Sequence, residues 1–399
     1  MTDKEYDDSK TEKSILAIVT LSHLAQHFTV GLSVLYPDIM NDLSLNYTQL
    51  GIITGSMTII SGFLQMVWSI LNRYLSRRIL LGLGNLLMSV GCFIIGRAGS
   101  FIELLGGNIV RGSGQAAQHP VGTSIITQKF PLKKISWALS IHYGLGYVGN
   151  IISPILLSSI ALYINWRWAT YLLTMVPLFT GIMVLYFLRK EESTSKSIQN
   201  LETSLFKDIK SVIHVKGVIL VIAAQAFAVG GSGMGVIITY TPLFLNNILN
   251  VGIFETSVIY SLAVLGGVLG TIMFGRLSGK LGNLKTAYIV VGICSTLISL
   301  LTVYKSFNFL LVLHLFLVGT TSFASGSLLQ AHLSSISTPG QRDVILGLYF
   351  TIGFGLSSIW TALTGYLIDV YSSFTPAWIL RAVLGTIAFL LIVYASRQK

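Results

Sequence analysis

The stretch Arg111-Gly-Ser-Gly-Gln-Ala-Ala-Gln-His119-Pro120 lies in the middle of a long apolar run, residues 102–128. It places a permanent cation and an imidazole at a depth where the surrounding residues indicate hydrocarbon. An arginine at the centre of a membrane helix costs roughly 2.5–3.5 kcal/mol on insertion scales, so it should face protein or a water-filled cavity. Two interpretations fit. Arg111 forms an anion site inside a helix bundle, or it bonds to backbone carbonyls and holds two helices together.

The composition of the whole chain also indicates a membrane protein. Of its 399 residues, 53% are hydrophobic and 10% are charged, whereas a soluble domain carries about 25% charged residues. Its two cysteines, Cys92 and Cys294, each fall inside an apolar run, so no disulfide framework is expected. The N-terminal residues are polar and the first apolar run is too long for a signal peptide, so we expect that run to remain as a membrane helix.

Twelve apolar runs are long enough to cross a bilayer, which takes about 20 residues per crossing. In chain order they are 14–40, 48–71, 79–98, 102–128, 135–162, 167–188, 217–245, 255–275, 284–304, 307–336, 343–368 and 374–395.

Lysine and arginine predict the orientation of these runs. With a cytoplasmic N-terminus, the inner segments hold 21 of the 26 basic residues, and the outer turns hold Arg97, Arg167 and Lys305. We therefore expect a multi-pass protein of the plasma or inner membrane, with both termini in the cytoplasm. The net charge of +11 is then a topology signal in a lipid bilayer and does not indicate nucleic-acid binding.

The chain divides into two related halves. The polar segment 189–216 predicts a cytoplasmic linker between an N-terminal half, residues 1–188, and a C-terminal half, residues 217–399. Two loop segments of the first half recur in the second. Asn72 corresponds to Gly279 at an offset of 207 residues, and Phe130 corresponds to Thr338 at an offset of 208 residues. The pattern predicts an all-α membrane protein of twelve helices in two pseudo-symmetric six-helix halves, with a substrate site near the midplane.

Polar side chains that could form this site are concentrated in the first half. On the first run, His23 and His27 share a helix face, and Asp38 follows on the same face three turns later. The fourth run carries Arg111, Gln115, Gln118 and His119, and the fifth carries His142. No aspartate or glutamate falls at mid-membrane depth, so a cavity with these cationic and imidazole groups favours an anion.

Less specific interpretations remain for the same residues. A single membrane histidine is usually a hydrogen-bonded packing residue, although five polar groups at similar depth in one half favour a shared role. His23 and His27 also have the spacing of metal ligands, but they lack a carboxylate or cysteine at matching depth. We therefore expect neither a metal nor another cofactor.

Motifs around these residues resemble the major facilitator superfamily over essentially the whole chain. Trp68-Ser-Ile-Leu-Asn72-Arg73 and Gly275-Arg276-Leu-Ser-Gly279-Lys280 are similar to its loop motif Gly-x-x-x-Asp-Arg, with Asn72 and Gly279 in place of the aspartate. Arg111-Gly-x-Gly114 is similar to the arginine motif of proton-coupled members. Gly144-Leu-Gly-Tyr-Val-Gly149-Asn-Ile-Ile-Ser-Pro154 is similar to the exporter motif of the fifth helix. The resemblance implies roles in conformational gating for Arg73, Gly149, Pro154 and Arg276.

Within the superfamily, the chain is most similar to the fosmidomycin-resistance branch of drug exporters. Ser22-His23-Leu-Ala-Gln-His27 is similar to that branch's Ser-His-x-x-Asn-Asp, and Gln118-His119-Pro120 to its Phe-His-Pro. His27 stands where the branch has an aspartate, and Val121 stands where the branch has a glutamate after its Phe-His-Pro.

These features together predict a secondary active transporter that works by alternating access, and not an enzyme. The chain has no Gly-x-x-x-x-Gly-Lys-Ser/Thr run, so an ion gradient or substrate exchange must supply the energy. We expect a monomer that exports a small anionic or polar organic molecule in exchange for protons. Uptake of an organic anion with protons, and exchange of organic anions, are alternatives. An intramembrane histidine-dependent enzyme and a transporter-like receptor are the competing classes.

The expected roles follow from this interpretation. The predicted substrate-binding residues are Arg111, His27, His119, Gln115, Gln118 and His142. The predicted proton-coupling residues are His23, His27, His119 and Asp38.

Overall fold

A computed structural model describes residues 3–72, 74–191, 212, 215 and 217–398. These residues form sixteen α-helices and no strand, so the predicted all-α membrane fold is confirmed. In chain order the helices are α1 Asp3–Val30, α2 Tyr36–Asp42, α3 Tyr47–Leu71, α4 Arg77–Arg97, α5 Phe101–Gln115, α6 Gln118–Lys129, α7 Leu132–Gly146, α8 Val148–Tyr163, α9 Trp166–Phe187, α10 Val218–Gly231, α11 Met234–Leu243, α12 Ile253–Leu281, α13 Asn283–Leu300, α14 Phe309–Ile336, α15 Pro339–Tyr371 and α16 Thr375–Arg397.

Several of these helices begin where the sequence supplies a side-chain cap. Ser100 accepts a hydrogen bond from Glu103 N at the start of α5, and Asn165 accepts one from Trp168 N at the start of α9. Such caps satisfy backbone N–H groups that have no partner within the first helical turn. Gly282 separates α12 from α13 with φ of 87°, a left-handed conformation that favours glycine.

Eleven helical stretches in the described part of the chain are long and apolar enough to cross a membrane. The predicted fourth crossing is not among them because it is broken into α5, of 15 residues, and α6, of 12 residues. Pro120 explains the break, since its ring clashes with the carbonyl four residues earlier, that of Ala116. With the turn, residues 101–129 are about 43 Å long at 1.5 Å per residue, which is enough for the twelfth crossing.

Three more of the predicted continuous runs are interrupted. The first changes to a 3-10 helix over Gly31–Leu35, just before Pro37. The fifth breaks at Tyr147, between α7 and α8, and the seventh breaks between α10 and α11. The eighth is longer than predicted, because α12 continues to Leu281 and makes the basic segment after residue 275 helical.

The chain forms two compact units. Unit 1 comprises Met1–Leu35 and Ile60–Gln199, and unit 2 comprises Tyr36–Ile59 and Asn200–Lys399. Helix α3 therefore contributes its first half to unit 2 and its second half to unit 1. Most of the predicted linker, 189–216, lies outside the described residues, so the predicted division into halves at this linker stays a prediction.

Each unit has its own apolar core. Leu81, Val121 and Val184 are fully buried in unit 1, and Val221, Val290 and Leu329 are fully buried or nearly so in unit 2. Large apolar side chains also remain exposed along the helices, such as Phe63 and Phe179. In a membrane protein these side chains face lipid, which is as apolar as they are.

Within unit 2, the beginning of α3 is held by side chains on both sides of it. Asp369 on α15 accepts hydrogen bonds from Tyr47 N at 3.0 Å and Thr48 N at 2.7 Å, and also from Thr48 Oγ1. Asn46 Oδ1 accepts a hydrogen bond from Gln49 N at 2.8 Å. The first three N–H groups of α3 therefore have partners, and an acidic group lies at the positive end of the helix dipole.

Candidate functional site

Four of the predicted histidines form one group in unit 1. We refer to His23 and His27 of α1, His119 of α6 and His142 of α7 as the histidine cluster. The ring centroid of His23 lies 4.6 Å from that of His27, 5.3 Å from that of His119 and 4.4 Å from that of His142. His23 and His142 are stacked, with an angle of 18° between the ring planes. The turn between α5 and α6 and the spacing of four residues on α1 bring these rings together.

Three members of the cluster are deeply buried, and His119 is half-buried. His23 is 0% exposed, His142 is 1% exposed and His27 is 8% exposed. His23 Nδ1 lies 3.1 Å from the carbonyl oxygen of His142, and His27 Nδ1 lies 3.2 Å from Asn150 Oδ1. Among the described residues, His23 Nε2, His27 Nε2 and both ring nitrogens of His142 have no hydrogen-bond partner.

Two glycines let α1 approach α7 and α8 this closely. A Cβ atom on Gly146 would overlap the imidazole of His23, and one on Gly149 would lie 2.6 Å from the carbonyl oxygen of Leu24. Gly146 and Gly149 of the exporter-like motif therefore form part of the packing around the cluster. Pro154 lies further along, inside α8, while the break in this crossing occurs at Tyr147.

A row of hydrogen bonds connects the cluster region to α4 and α9. Thr180 Oγ1 donates to Asn85 Oδ1 at 3.0 Å, and Asn85 Nδ2 donates to Ser22 Oγ at 2.6 Å. Ser22 Oγ in turn donates to Gln118 Oε1 at 2.9 Å. Gln118 Nε2 has no partner in the part of the chain that the structure describes. The row fixes the orientation of Gln118, the neighbour of His119.

Arg111 is buried, 2% exposed, and bonds to protein. Its Nη1 donates to the carbonyl oxygen of Thr29 at 2.8 Å, and its Nη2 donates to Asn108 Oδ1 at 2.9 Å. The bond to Thr29 holds α5 to the last turn of α1, as in the second interpretation of this arginine, whereas Asn108 lies on α5 itself. Binding of an anion by the same guanidinium group stays a prediction.

The other predicted site residues are more scattered. Gln115, at the end of α5, is half-buried, and its Oε1 has no partner within the described residues. Asp38 is half-buried on α2, in unit 2. The expectation that it shares a face with His27 required a continuous α-helix, and the five-residue 3-10 segment changes that register by about 100°. Arg276 is exposed on α12, and Arg73 lies outside the described residues.

With this geometry in place, comparison with known proteins identifies the family. The model of the Major Facilitator Superfamily matches residues 16–362. The chain belongs to the Major Facilitator Superfamily. It is therefore a multi-pass membrane transporter, and the predicted family is confirmed.

Individual relatives agree with this membership over nearly the whole chain. The MFS-type transporter YfnC of Bacillus subtilis is 24% identical, with 94% of this chain and 92% of the relative aligned. The Fosmidomycin resistance protein of Escherichia coli is 25% identical, over 90% of this chain and 88% of the relative. The crystal structure of a mutant of the nucleoside transporter NupG superimposes with a TM-score of 0.79, covering 96% of this chain and 99% of that one at 13% identity.

Several residues of this MFS transporter's candidate site were missed by the sequence analysis. Asn150 bonds to His27, Asn85 bonds to Ser22 and Thr180 bonds to Asn85. The ring of Tyr147 lies 4.5 Å from that of His27. An asparagine inside an apolar run is the signal that could have identified Asn85 and Asn150. Thr180 and Tyr147 give no such signal, since both residue types are common in membrane helices.

Unit 2 contains a second buried arginine, Arg381 of α16, which is 0% exposed. Its Nη2 donates to the carbonyl oxygen of Gly231 at 2.7 Å and its Nε donates to the same oxygen at 3.1 Å. Gly231 is the last residue of α10. Arg381 therefore bonds to the end of the first helix of the second half, much as Arg111 bonds to the end of the first helix of the chain.

The histidine cluster does not have the form of a metal site. The described residues contain no group of three or more His, Cys, Asp or Glu side chains that could hold a metal ion. The acidic side chains described in unit 1 lie elsewhere. Glu12 pairs with Lys134 at 3.4 Å, and Glu103 accepts a hydrogen bond from Gly99 N near the start of α5.

Proposed function

We propose that this transporter exports a small anionic or polar organic molecule in exchange for protons, with the histidine cluster as the proton-binding group. The observation that carries the proposal is the burial of four imidazoles in contact with one another in unit 1. Imidazole has a reference pKa of about 6.5, so its charge changes close to physiological pH. Because no described carboxylate of unit 1 lies in the cluster, histidine is the group there that can bind and release a proton.

The packing of the rings supports binding of one proton at a time. The centroid of His23 lies 4.4–5.3 Å from those of the other three histidines. Two unit charges about 4 Å apart repel by about 4 kcal/mol at an effective dielectric constant near 20. A second proton in the same cluster would therefore bind roughly a thousandfold more weakly, since about 1.4 kcal/mol corresponds to a factor of ten.

The direction of transport and the substrate class rest on the motifs and on one relative. Gly146 and Gly149 of the exporter-like motif contact α1 beside the cluster. One relative is a Fosmidomycin resistance protein. Both favour efflux. Arg111 and the absence of a described carboxylate in the cluster favour an anionic or polar substrate over a cation.

Uptake of an anion together with a proton is a second candidate, favoured by the same lack of acidic groups. A protonated cluster is cationic, so an anion bound beside it would stabilise the proton. By linkage, the proton would then stabilise the anion equally.

Transport by purified protein in liposomes tests the proposal. We expect a pH gradient, acidic on the side toward which the substrate moves, to accelerate the flux of at least one anion from a set containing fosmidomycin and glucuronate. Mannitol serves as the neutral control. A gradient that is acidic on the side the substrate leaves should instead accelerate co-transport, so the direction that accelerates the flux distinguishes exchange from co-transport. If neither direction changes the flux of any compound, proton coupling is wrong.

A further inference from the structure

The hydrogen bonds of His23 and His27 determine which nitrogen of each ring can bind a proton. A backbone carbonyl oxygen accepts hydrogen bonds and cannot donate them, so His23 Nδ1, 3.1 Å from the carbonyl oxygen of His142, must carry hydrogen. The side-chain oxygen of Asn150 places the same requirement on His27 Nδ1 at 3.2 Å. In the neutral form of both rings, Nε2 is then an acceptor with a free lone pair.

These two acceptors are buried without a donor. Among the described side chains and backbone, neither His23 Nε2 nor His27 Nε2 has a hydrogen-bond partner. The two rings lie at 75° to each other with centroids 4.6 Å apart. Buried polar atoms are nearly always satisfied, so unsatisfied acceptors in a native site require a proton, water or ligand donor.

We infer that His23 Nε2 and His27 Nε2 form an acceptor pair for which a proton and the hydrogen-bond donors of the substrate compete. This inference rests on the proposed function and adds to it the chemistry of the substrate. The substrate group that contacts the pair is an N–H group, because a hydroxyl could turn and accept a hydrogen bond from a protonated Nε2. Its anionic group lies away from the pair, because an anion beside a protonated imidazole would stabilise the proton. The substrate class is therefore an N–H-bearing organic anion.

Competition at a lone pair gives the coupling that exchange requires. A proton on Nε2 converts that atom from an acceptor to a donor, so it repels the substrate N–H group that bound there. The proton and the substrate donor are then bound alternately, never together, at the same atom. The close packing of the cluster limits it to one proton, so one proton is exchanged per substrate.

The groups around the pair agree with this assignment. Four aromatic rings lie beside the pair, those of His142 and Tyr143 of α7, Tyr147 between α7 and α8, and His119 of α6. Arg111 of α5 bonds to the carbonyl oxygen of Thr29, two residues beyond His27 on α1.

Nitrogen NMR of the imidazoles tests the acceptor pair without any substrate. The full-length protein is labelled with ¹⁵N-histidine in lipid nanodiscs, and the signals are assigned by single histidine-to-glutamine variants. At pH 8.5 we expect His23 and His27 to be protonated at Nδ1 and unprotonated at Nε2. Between pH 8.5 and pH 5 the four cluster signals together should gain one proton. Protonation at Nε2 of His23 in the neutral form, or two charged rings in the cluster at once, would overturn the inference.

Asn150→Leu provides a second measurement on the same signals. Asn150 is a positioning residue for His27, so the variant should allow His27 to populate the Nε2–H form while His23 keeps its Nδ1–H form. Unchanged His27 signals in a folded variant would contradict the assignment. Should the variant not fold, the wild-type titration alone decides.

Transport measurements distinguish this inference from the proposed function. With N-acetyltaurine as the N–H-bearing anion and its N-methylated form as the matched anion without an N–H donor, we expect only N-acetyltaurine flux to compete with protons. Its apparent affinity should fall tenfold per pH unit once the cluster is protonated. Proton-driven flux of the N-methylated anion at equal affinity would overturn the acceptor pair while leaving proton-coupled transport intact.

Discussion

At the residue scale, the two arginines within the membrane-spanning helices have similar partners in different units. Arg111 bonds to Thr29, one residue before the end of α1, and Arg381 bonds to Gly231, the end of α10. The last carbonyls of a helix lack intrahelical partners and carry partial negative charge. Each guanidinium group therefore stabilises the end of a helix at the point where the crossing is interrupted.

This similarity makes Arg381 a matched control for the role of Arg111. Lysine keeps the charge but cannot reproduce the planar set of donors, so each of the variants Arg111→Lys and Arg381→Lys should lose a buried hydrogen bond. We expect each to lower the free energy of unfolding by roughly 1–3 kcal/mol. Thermal unfolding in nanodiscs measures this effect.

Measurements of anion flux distinguish the role of Arg111 from that of Arg381. Arg111→Lys should weaken the apparent affinity for a transported anion at least tenfold, whereas Arg381→Lys should leave it unchanged. If Arg111→Lys transports with wild-type affinity, its guanidinium group acts only in holding α5 to α1.

The sequence predicted part of this site, for a physical reason. Charged and imidazole groups are too costly to expose to lipid, so Arg111, His23, His27 and His142 had to face the protein interior. Which carbonyl Arg111 bonds to depends on the interruption of α1 at Val30, and hydropathy does not show such interruptions. Asn85 and Asn150 were missed because a neutral amide costs less to bury and stands out less from an apolar run.

At the element scale, the important features are helix breaks and close contacts. Hydropathy predicted the twelve crossings because length and apolar composition are sufficient for that. It predicted α5 and α6 as one helix, although Pro120 could have indicated the break. The contact between α7 and α1 depends on Gly146, because a Cβ atom there would overlap the ring of His23.

Two glycines of α7 give opposite predictions on substitution by alanine. Gly146→Ala overpacks the contact with His23, so we expect a loss of about 1–3 kcal/mol in stability and loss of transport. Gly144 has no atom within 4 Å of a built Cβ. Gly144→Ala should therefore keep transport and gain up to about 1 kcal/mol from helix propensity.

Melting temperature and flux, measured on both variants in the same liposomes, check this pair. Equal behaviour of the two alanine variants would show that the close approach of α7 to His23 is not required for folding or transport.

At the scale of the whole molecule, the described titratable groups of the two units differ. The histidine cluster lies entirely in unit 1, whereas His314 of unit 2 has both ring nitrogens bonded, to Tyr304 Oη at 3.0 Å and to the carbonyl oxygen of Leu297 at 2.8 Å. Both ring nitrogens of His314 already have partners, so a proton there requires the Tyr304 hydroxyl to turn from donor to acceptor. The proposed proton coupling therefore stays with the histidine cluster of unit 1. The internal repeat of the sequence predicted related halves, but their different chemistry depends on side chains that the repeat does not conserve.

The central claim is that the histidine cluster couples substrate movement to protons. The most direct measurement compares pH-driven accumulation with substrate exchange across liposomes for His142→Gln, and uses His314→Gln as the matched control. We expect His142→Gln to lose at least tenfold in pH-driven accumulation while exchange without a gradient continues, and His314→Gln to keep both. Wild-type accumulation by His142→Gln, and by a His23→Gln/His142→Gln double variant, would contradict the account.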